Sequence, residues 1–475
     1  MKNRWLPSLI LRTRKFIKEK DKVRYIIFCI LVLTLASSLR LYHYDSIPDD
    51  KWTADEIAFC WNGMSLIQNH VPTAWSWLSS YGDFPIVMWQ GHSYKLVTPW
   101  FDHPPLFSLV VGGAAILGGA NSFFDVSMSV IRIPSLIFGI LSVFLLFHLC
   151  TRLFNIYIAL ISSLVYATNP SIVFLSRLAV SENLIICLTL SMLICFLEYR
   201  KTSRGFYLYI SILLAGLASI SKVTGLFLII TLCLLLVYLK KWRVSIIACL
   251  SGLLMFSLYF IYGYYYDIQL FLSVIFEQSG RFNSLSIVKN LLFQNYEYKL
   301  KFIDIDIWFA FSWFIFMLVL YKLKYTFQSL IIFLPIITYL FVLFLSGGQS
   351  HYFLWYNIMF YPFLSIILGY YLYFFIKNSD FFTAFILLIF FGAWFINIFL
   401  LDSDWKIVTI KNITYFKYIF FSWVCIVLGV YLWHSIRPSE NTRILKFISS
   451  TFIIGMMLMS NIYIIYIYTT QLAIK

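Results

Sequence analysis

From Tyr25 to Thr469 the chain is a succession of apolar runs, most of them close to the roughly 20 residues that cross a bilayer core, separated by short charged or turn-rich breaks. No water-soluble domain of 475 residues carries a composition that is 61% hydrophobic, 20% aromatic and only 12% charged. Helices satisfy every backbone group within the segment, which lipid demands. The fold class that follows is an all-α polytopic membrane protein.

The charges set the direction of the runs. Nine Lys or Arg stand in the first 24 residues, ahead of the run Tyr25 to Tyr42, so the N-terminus is expected on the cytoplasmic side and the first run is read as an uncleaved signal anchor. "EYRKTSRG" (Glu198 to Gly205) and "KKWR" (Lys240 to Arg243) mark two further cytoplasmic turns. Counting back from them, Asn183 to Leu197, Tyr157 to Phe174 and Arg132 to Cys150 each cross. "LFSLVVGGAAILGG" (Leu106 to Gly119) then has no crossing to make. It is also too short and too Gly-rich to span, and is placed as a juxtamembrane or re-entrant helix on the outer side. Counting forward to Phe447 to Thr469 gives about 13 transmembrane helices in all.

On this topology the inside carries 22 Lys/Arg against 5 Asp/Glu, and the outside 14 against 16. The net charge of +15 therefore belongs to cytoplasmic tails and loops, and nucleic acid is not expected as a partner. Of the eight cysteines only Cys60 is assigned outside, and no CxxC spacing suggests a disulfide or metal framework.

Two outer segments exceed what a connector needs: 43–105 and about 265–304. The first holds six of the fifteen tryptophans, Trp52, Trp61, Trp75, Trp77, Trp89 and Trp100, a density expected where rings lie at the membrane interface. Within it "WTADEIAFCWNG" places Ile57, Cys60, Trp61, Met64 and Ile67 on one helical face and Asp55, Asn62, Ser65 and Asn69 on another. The expectation is a helix lying in the outer interface, apolar side down. Its adjacent carboxylates, Asp55 and Glu56, admit two readings. They suit the first turn of a helix, with Thr53 as N-cap and Glu56 closing a capping box. Alternatively, one acts on a reactant at the boundary between lipid and water; neighbours on a helix point about 100° apart and do not easily clasp one ion.

Further polar groups fall on the same outer side, in "FDHPPL", "SRLAVSEN", "GLASISKVTG" and "GGQSHYFLWY". Singly each could be an interface anchor. Together they place acids and cations at one membrane face, which suits an anionic lipid head group.

The order DE, HPPL, "RIPSLIFGILSVFLLFHLCTRLF", "SRLAVSEN", "GLASISKVTG" resembles the branch of the GT-C glycosyltransferases that holds the protein O-mannosyltransferases and the lipid A aminoarabinose transferase, over about Ser46 to Leu239. The resemblance implies interfacial helices in the first outer loop. It further implies transfer of a sugar from a polyprenyl-phosphate donor to an acceptor hydroxyl of a glycan, lipid or protein, with inversion, at the extracytoplasmic face of the plasma membrane. Asp55 is then the catalytic base and Glu56 its support. Arg177, Lys222 and His351 face the donor phosphate, and His103, Glu182 and Tyr352 the rest of the substrate, with Glu182 standing where the family more often has Asp. No cofactor is called for and a divalent metal is not indicated. The organisation so implied is a basic N-terminus (1–24), a catalytic transmembrane module (25–264), an extracytoplasmic loop (265–304) and a C-terminal transmembrane module (305–475).

That chemistry is coherent. Cations can stabilise a departing lipid phosphate, a hydroxyl nucleophile needs one carboxylate to take its proton, and inversion uses a single displacement. A transporter or lipid flippase also fits a charged helical bundle, although its site tends to lie near the midplane with inverted repeats. A glycan polymerase or ligase is a second alternative.

Overall fold

The structure is a computed structural model that describes residues 19–48, 55–279, 307–323, 326–345, 354–378, 380–396 and 410–473. His351, Tyr352, Trp52, Thr53 and most of the second outer loop lie outside the described residues. The protein is an all-α polytopic membrane protein with a small addition between its first long helix and the next. Seven described helices are long and apolar enough to cross a membrane, and shorter apolar helices pack among them.

In chain order the main helices are α1 (Glu19–Leu41), α2 (Asp55–Asn69), α3 (Leu106–Leu117), α4 (Ile133–Leu153), α5 (Ile156–Thr168), α6 (Ser181–Thr202), α7 (Gly205–Ser219), α8 (Leu226–Tyr238), α9 (Trp242–Tyr266) and α10 (Ile268–Ser279). They continue with α11 (Ile307–Leu323), α12 (Phe327–Leu345), α13 (Tyr361–Asn378), α14 (Phe381–Ile396), α15 (Ile410–Ile436) and α16 (Glu440–Ala473). One expected crossing, Tyr157 to Phe174, is broken in two. Asn169 ends α5 and its side chain accepts from Ile172 N at 3.2 Å, capping a short helix that starts at Pro170, where a proline is tolerated because the first-turn amide is unpaired anyway.

The outer segment departs most from expectation. Residues Glu56 to Ser65 of α2 are buried on every side, including Asn62 and Ser65, so α2 is not a one-faced helix lying on lipid. One covering element is α3, which packs against the Gly63 side. A Cβ on Gly63 would stand 1.8 Å from the carbonyl oxygen of Ser108, and one on Gly112 would stand 2.3 Å from the Gly63 carbonyl carbon. The two backbones touch because both positions lack side chains, which is the physical reason for Gly112 in "VVGGAAILGG".

The same segment also contains a small antiparallel sheet: β1 (Ala74–Trp75), β2 (Ile86–Trp89) and β3 (His92–Val97), in the order β1-β3-β2. Trp89 pairs with His92 across Gln90 and Gly91. Both turn residues have positive φ, 47° and 78°, as a tight two-residue hairpin requires.

Three of the five described tryptophans of this segment, Trp61, Trp89 and Trp100, are core and not an interfacial girdle. Trp61 and Trp100 are fully buried. Trp61 stacks on Phe123 at 5.3 Å, meets Tyr94 edge-on at 5.4 Å, and donates its indole N–H to the Phe123 carbonyl at 3.0 Å, giving each ring a polar outlet in a buried place. Trp77 is exposed. This second core is continued by Tyr259, Phe271 and Val274 from α9 and α10.

Candidate functional site

Asp55 opens α2 and lines a small pocket together with Phe59, Trp75, Trp77, Trp100, Ser76, Asp102 and His103. His103 is stacked on Phe59 at 5.2 Å and meets Trp100 edge-on at 5.9 Å. Asp102 accepts from the Ser76 hydroxyl and the Tyr81 phenol, each at 2.7 Å. Burial, and then the facing Asp102 carboxylate, push the Tyr81 phenol well above its ordinary pKa, so it remains a donor. The Phe101 amide donates to that same phenol oxygen at 2.7 Å. The segment from Trp100 to His103 is thus fixed by the first outer loop on one side. On the other, the Tyr259 hydroxyl donates to the Phe101 carbonyl at 2.6 Å.

Lys222 sits in the turn between α7 and α8, made tight at Gly225, where a Cβ would lie 2.0 Å from the Ala218 carbonyl oxygen. Its ammonium is buried, 2.5 Å from the Glu182 carboxylate and 4.7 Å from the centre of the Tyr356 ring. Burial disfavours the ammonium, but Glu182, Tyr356 and the nearby Asp55 outweigh it and hold the pKa above the ordinary lysine value. Lys222, Glu182 and Asp55 therefore share one electrostatic neighbourhood. The Leu106 amide, next to His103 and its prolines, reaches the Ile220 carbonyl at 3.3 Å and ties the "HPPL" stretch to the same turn.

Glu56 is spent otherwise. Its carboxylate forms a fully buried bidentate pair with Arg132, at 3.0 and 2.9 Å, and accepts the Ala179 amide at 2.7 Å. Arg132 also donates to the Tyr44 carbonyl at 3.0 Å. The carboxylate joins α2, the start of α4 and the "SRLAVSEN" turn. Arg132 was not singled out from the sequence, where it precedes "IPSLIFG" as one more cation at the end of an apolar run.

Arg177 is placed apart from the pocket. It is fully buried and donates to the carbonyls of Leu39 at 2.7 Å and Ile47 at 3.2 Å and to the Thr469 hydroxyl at 3.4 Å, with its guanidinium over Phe174. Those contacts clamp α1, the outer segment and α16 together. His351 and Tyr352 fall outside the described residues. Asp102, quoted within "FDHPPL" but passed over, is brought into the pocket beside Asp55; its position one residue before His103 was the available signal. Among the described residues no group of three or more His, Cys, Asp or Glu side chains is arranged to hold a metal ion.

Residues 102–265 match the family model of dolichyl-phosphate-mannose-protein mannosyltransferases. The match takes in Asp102, His103, Arg132, Arg177, Glu182 and Lys222, while Asp55 and Glu56 precede it. No curated protein matches the sequence.

Among solved structures the chain is similar to the Saccharomyces cerevisiae protein O-mannosyltransferase Pmt1-Pmt2 complex bound to the sugar donor, at 19% identity over 54% of this chain and 35% of that one, with a TM-score of 0.38. It is similar to ArnT from Cupriavidus metallidurans bound to undecaprenyl phosphate, at 13% identity over 94% and 77% of the two chains, with a TM-score of 0.48. It is also similar to the apo oligosaccharyltransferase of Archaeoglobus fulgidus, at 16% identity over 90% and 56%, with a TM-score of 0.46. The chain spans about a third of the length of the yeast protein and just over half that of the archaeal one. All three TM-scores lie below 0.5, so the weight rests on the family match.

Proposed function

We propose that the protein is an integral membrane glycosyltransferase that moves a sugar from a polyprenyl-phosphate donor to an acceptor hydroxyl of a glycan, lipid or protein at the extracytoplasmic face. The observation that carries this reading is Asp55 in a pocket lined by aromatic rings, in the field of the buried Lys222–Glu182 pair. The match of residues 102–265 to a mannosyltransferase family supports the same class of reaction.

In the proposed step the acceptor oxygen attacks the anomeric carbon, and the bond from that carbon to the phosphate oxygen breaks on the opposite face, inverting the centre. Asp55 takes the acceptor's proton as the new bond forms. The electron pair leaves with polyprenyl phosphate, whose growing charge Lys222 offsets. Because Glu182 already neutralises much of the lysine, the pair contributes a hydrogen-bond donor of fixed position more than a bare charge. The rings of Phe59, Trp75 and Trp100 and the imidazole of His103 offer flat apolar faces to a sugar ring.

The test is release of polyprenyl phosphate by protein purified into nanodiscs with polyprenyl-phosphate-linked sugars. Asp55→Asn keeps shape and hydrogen bonding but loses basicity, so turnover is expected to fall about a hundredfold or more with the donor still bound. Near-normal transfer by Asp55→Asn removes Asp55 as the base. Movement of the intact lipid-linked sugar across the bilayer without cleavage returns the reading to a flippase.

A further inference from the structure

We infer that Glu277, on α10, is a positioning residue for the Asp55 pocket: it holds the Ser79–Tyr81 turn, and that turn seats Asp102 and Phe101. Glu277 and the turn it grips both lie outside residues 102–265, and none of the motifs quoted above contains either.

The geometry is specific. One carboxylate oxygen of Glu277 accepts the Ser79 amide at 3.0 Å and the Ser79 hydroxyl at 2.9 Å, while the other accepts the Ser80 amide at 2.8 Å and the Ser80 hydroxyl. A partly exposed carboxylate has water available, so four protein donors mark a site built to grip it. Burial alone would raise this acid's pKa, yet the Ser80 and Ser79 donors hold it below the ordinary carboxylate range. The helix behind it is itself anchored, since Phe271 packs edge-on against Phe101 at 5.4 Å and Tyr259 at 4.9 Å.

From the turn two connections run to the pocket. Leu78, just before it, donates its amide to the Ser76 hydroxyl at 3.2 Å, and that hydroxyl donates to one oxygen of Asp102. Tyr81, at its end, donates to the other oxygen of Asp102 and accepts the Phe101 amide. Both oxygens of Asp102 are therefore aimed by the segment that Glu277 holds. Releasing Glu277 frees the turn, and with it the Asp102 side of the pocket, without touching Lys222 or Glu182.

Hydrogen exchange on the full chain in nanodiscs reads the coupling without any substrate. In Glu277→Gln, exchange at the Phe101 amide is expected to rise about tenfold with that at Ser79 and Ser80, while amides within α6 and α8 keep their protection. Faster exchange at Ser79 and Ser80 alone overturns the inference.

The kinetic arm rests on the glycosyltransferase reading and uses an undecaprenyl-phosphate-linked sugar that the wild type turns over. There kcat is expected to fall about tenfold with donor KM within about twofold, since a displaced wall misplaces the reacting groups while leaving the phosphate contact in place. Faster Phe101 exchange with unchanged kcat overturns the positioning role. A wild type inactive on every donor tried instead overturns the glycosyltransferase reading, and the exchange arm still decides the coupling. Ser80→Ala, which removes one of the four bonds, is expected to move both readouts in the same direction by less. Should Glu277→Gln not fold, no change in either readout for Ser80→Ala overturns the inference.

Discussion

Substituting the second carboxylate of the acidic pair separates its two readings most sharply. As half of a capping box Glu56 would be replaced by Gln at little cost, because Gln serves at that position. In the structure both oxygens of Glu56 are engaged with Arg132 and neither group is exposed. Glu56→Gln leaves the guanidinium buried, without its counter-charge, and facing an amide N–H where it had an acceptor. Removing one partner of a buried pair costs about 3–5 kcal/mol. At about 1.4 kcal/mol per tenfold that is roughly a hundred- to several-thousandfold larger open population.

The Ala179 amide reports this directly, since it donates to Glu56 at 2.7 Å. Its hydrogen exchange in Glu56→Gln is expected to accelerate by that factor, together with amides of the first turn of α4, and protein yield should fall. The double variant Glu56→Gln with Arg132→Met removes the stranded charge and should recover much of the loss. In Asp55→Asn the Ala179 amide should exchange as in the wild type, since the pair is intact. Wild-type protection of Ala179 in Glu56→Gln would refute the idea that this pair joins the three segments.

Gly63→Ala and Gly112→Ala should each force α2 and α3 apart, at a cost of about 1–3 kcal/mol or more, read as a lower denaturation temperature and looser Trp61 fluorescence; a stability equal to wild type would contradict the close approach. Lys222 should hold its proton across the neutral range. With its folded pKa raised above the unfolded value, its pairing with Glu182 contributes fully below the ordinary lysine pKa and is lost only as pH climbs through the folded one. Stability that depends on Lys222, measured against Lys222→Met, should therefore be flat from about pH 6 to 9 and fall only in strong alkali. Cys60 is fully buried and should resist a membrane-impermeant thiol reagent even from the side on which it lies. On the proposed topology the exposed Met88 replaced by cysteine should label from outside, and Ser203→Cys only after the inner face is opened; the reverse pattern inverts the topology.

The all-α polytopic character was legible because it follows from run length, which is a local property; the number and direction of the crossings belong to the proposed topology. Leu106–Leu117 is a short apolar helix packed against α2, and its place outside the crossings belongs to the proposed topology. The outer segment was not legible, because alternation of apolar and polar positions tells how many faces of a helix meet water only when one face does. In α2 the polar face carrying Asn62 and Ser65 is buried as well, and the glycines that bring α3 against the Gly63 side stand about fifty residues apart in the chain. The hairpin was missed because "WQGH" carries its turn on Gln90 and Gly91, not on a stronger Asn-Gly signal, and because its strands are short.

The same limit governs the charged residues, and it is instructive that Arg177 and Lys222 looked equivalent. Each stands at the outer end of an apolar run beside a small residue. What distinguishes them is the partner: Arg177 meets two backbone carbonyls and a hydroxyl from three segments, whereas Lys222 meets a carboxylate and a ring and senses Asp55. A guanidinium with its five donors is suited to gather carbonyls, and an ammonium is better suited to a single compact anion. Residue type thus carried some of the distinction, but only the fold decides which carbonyls or carboxylates are within reach. Asp55 and Glu56 divide in the same way: the 100° between neighbours on a helix sends Glu56 inward to Arg132 and leaves Asp55 at the pocket, so a rigid ion pair next door aims the carboxylate proposed to take the proton.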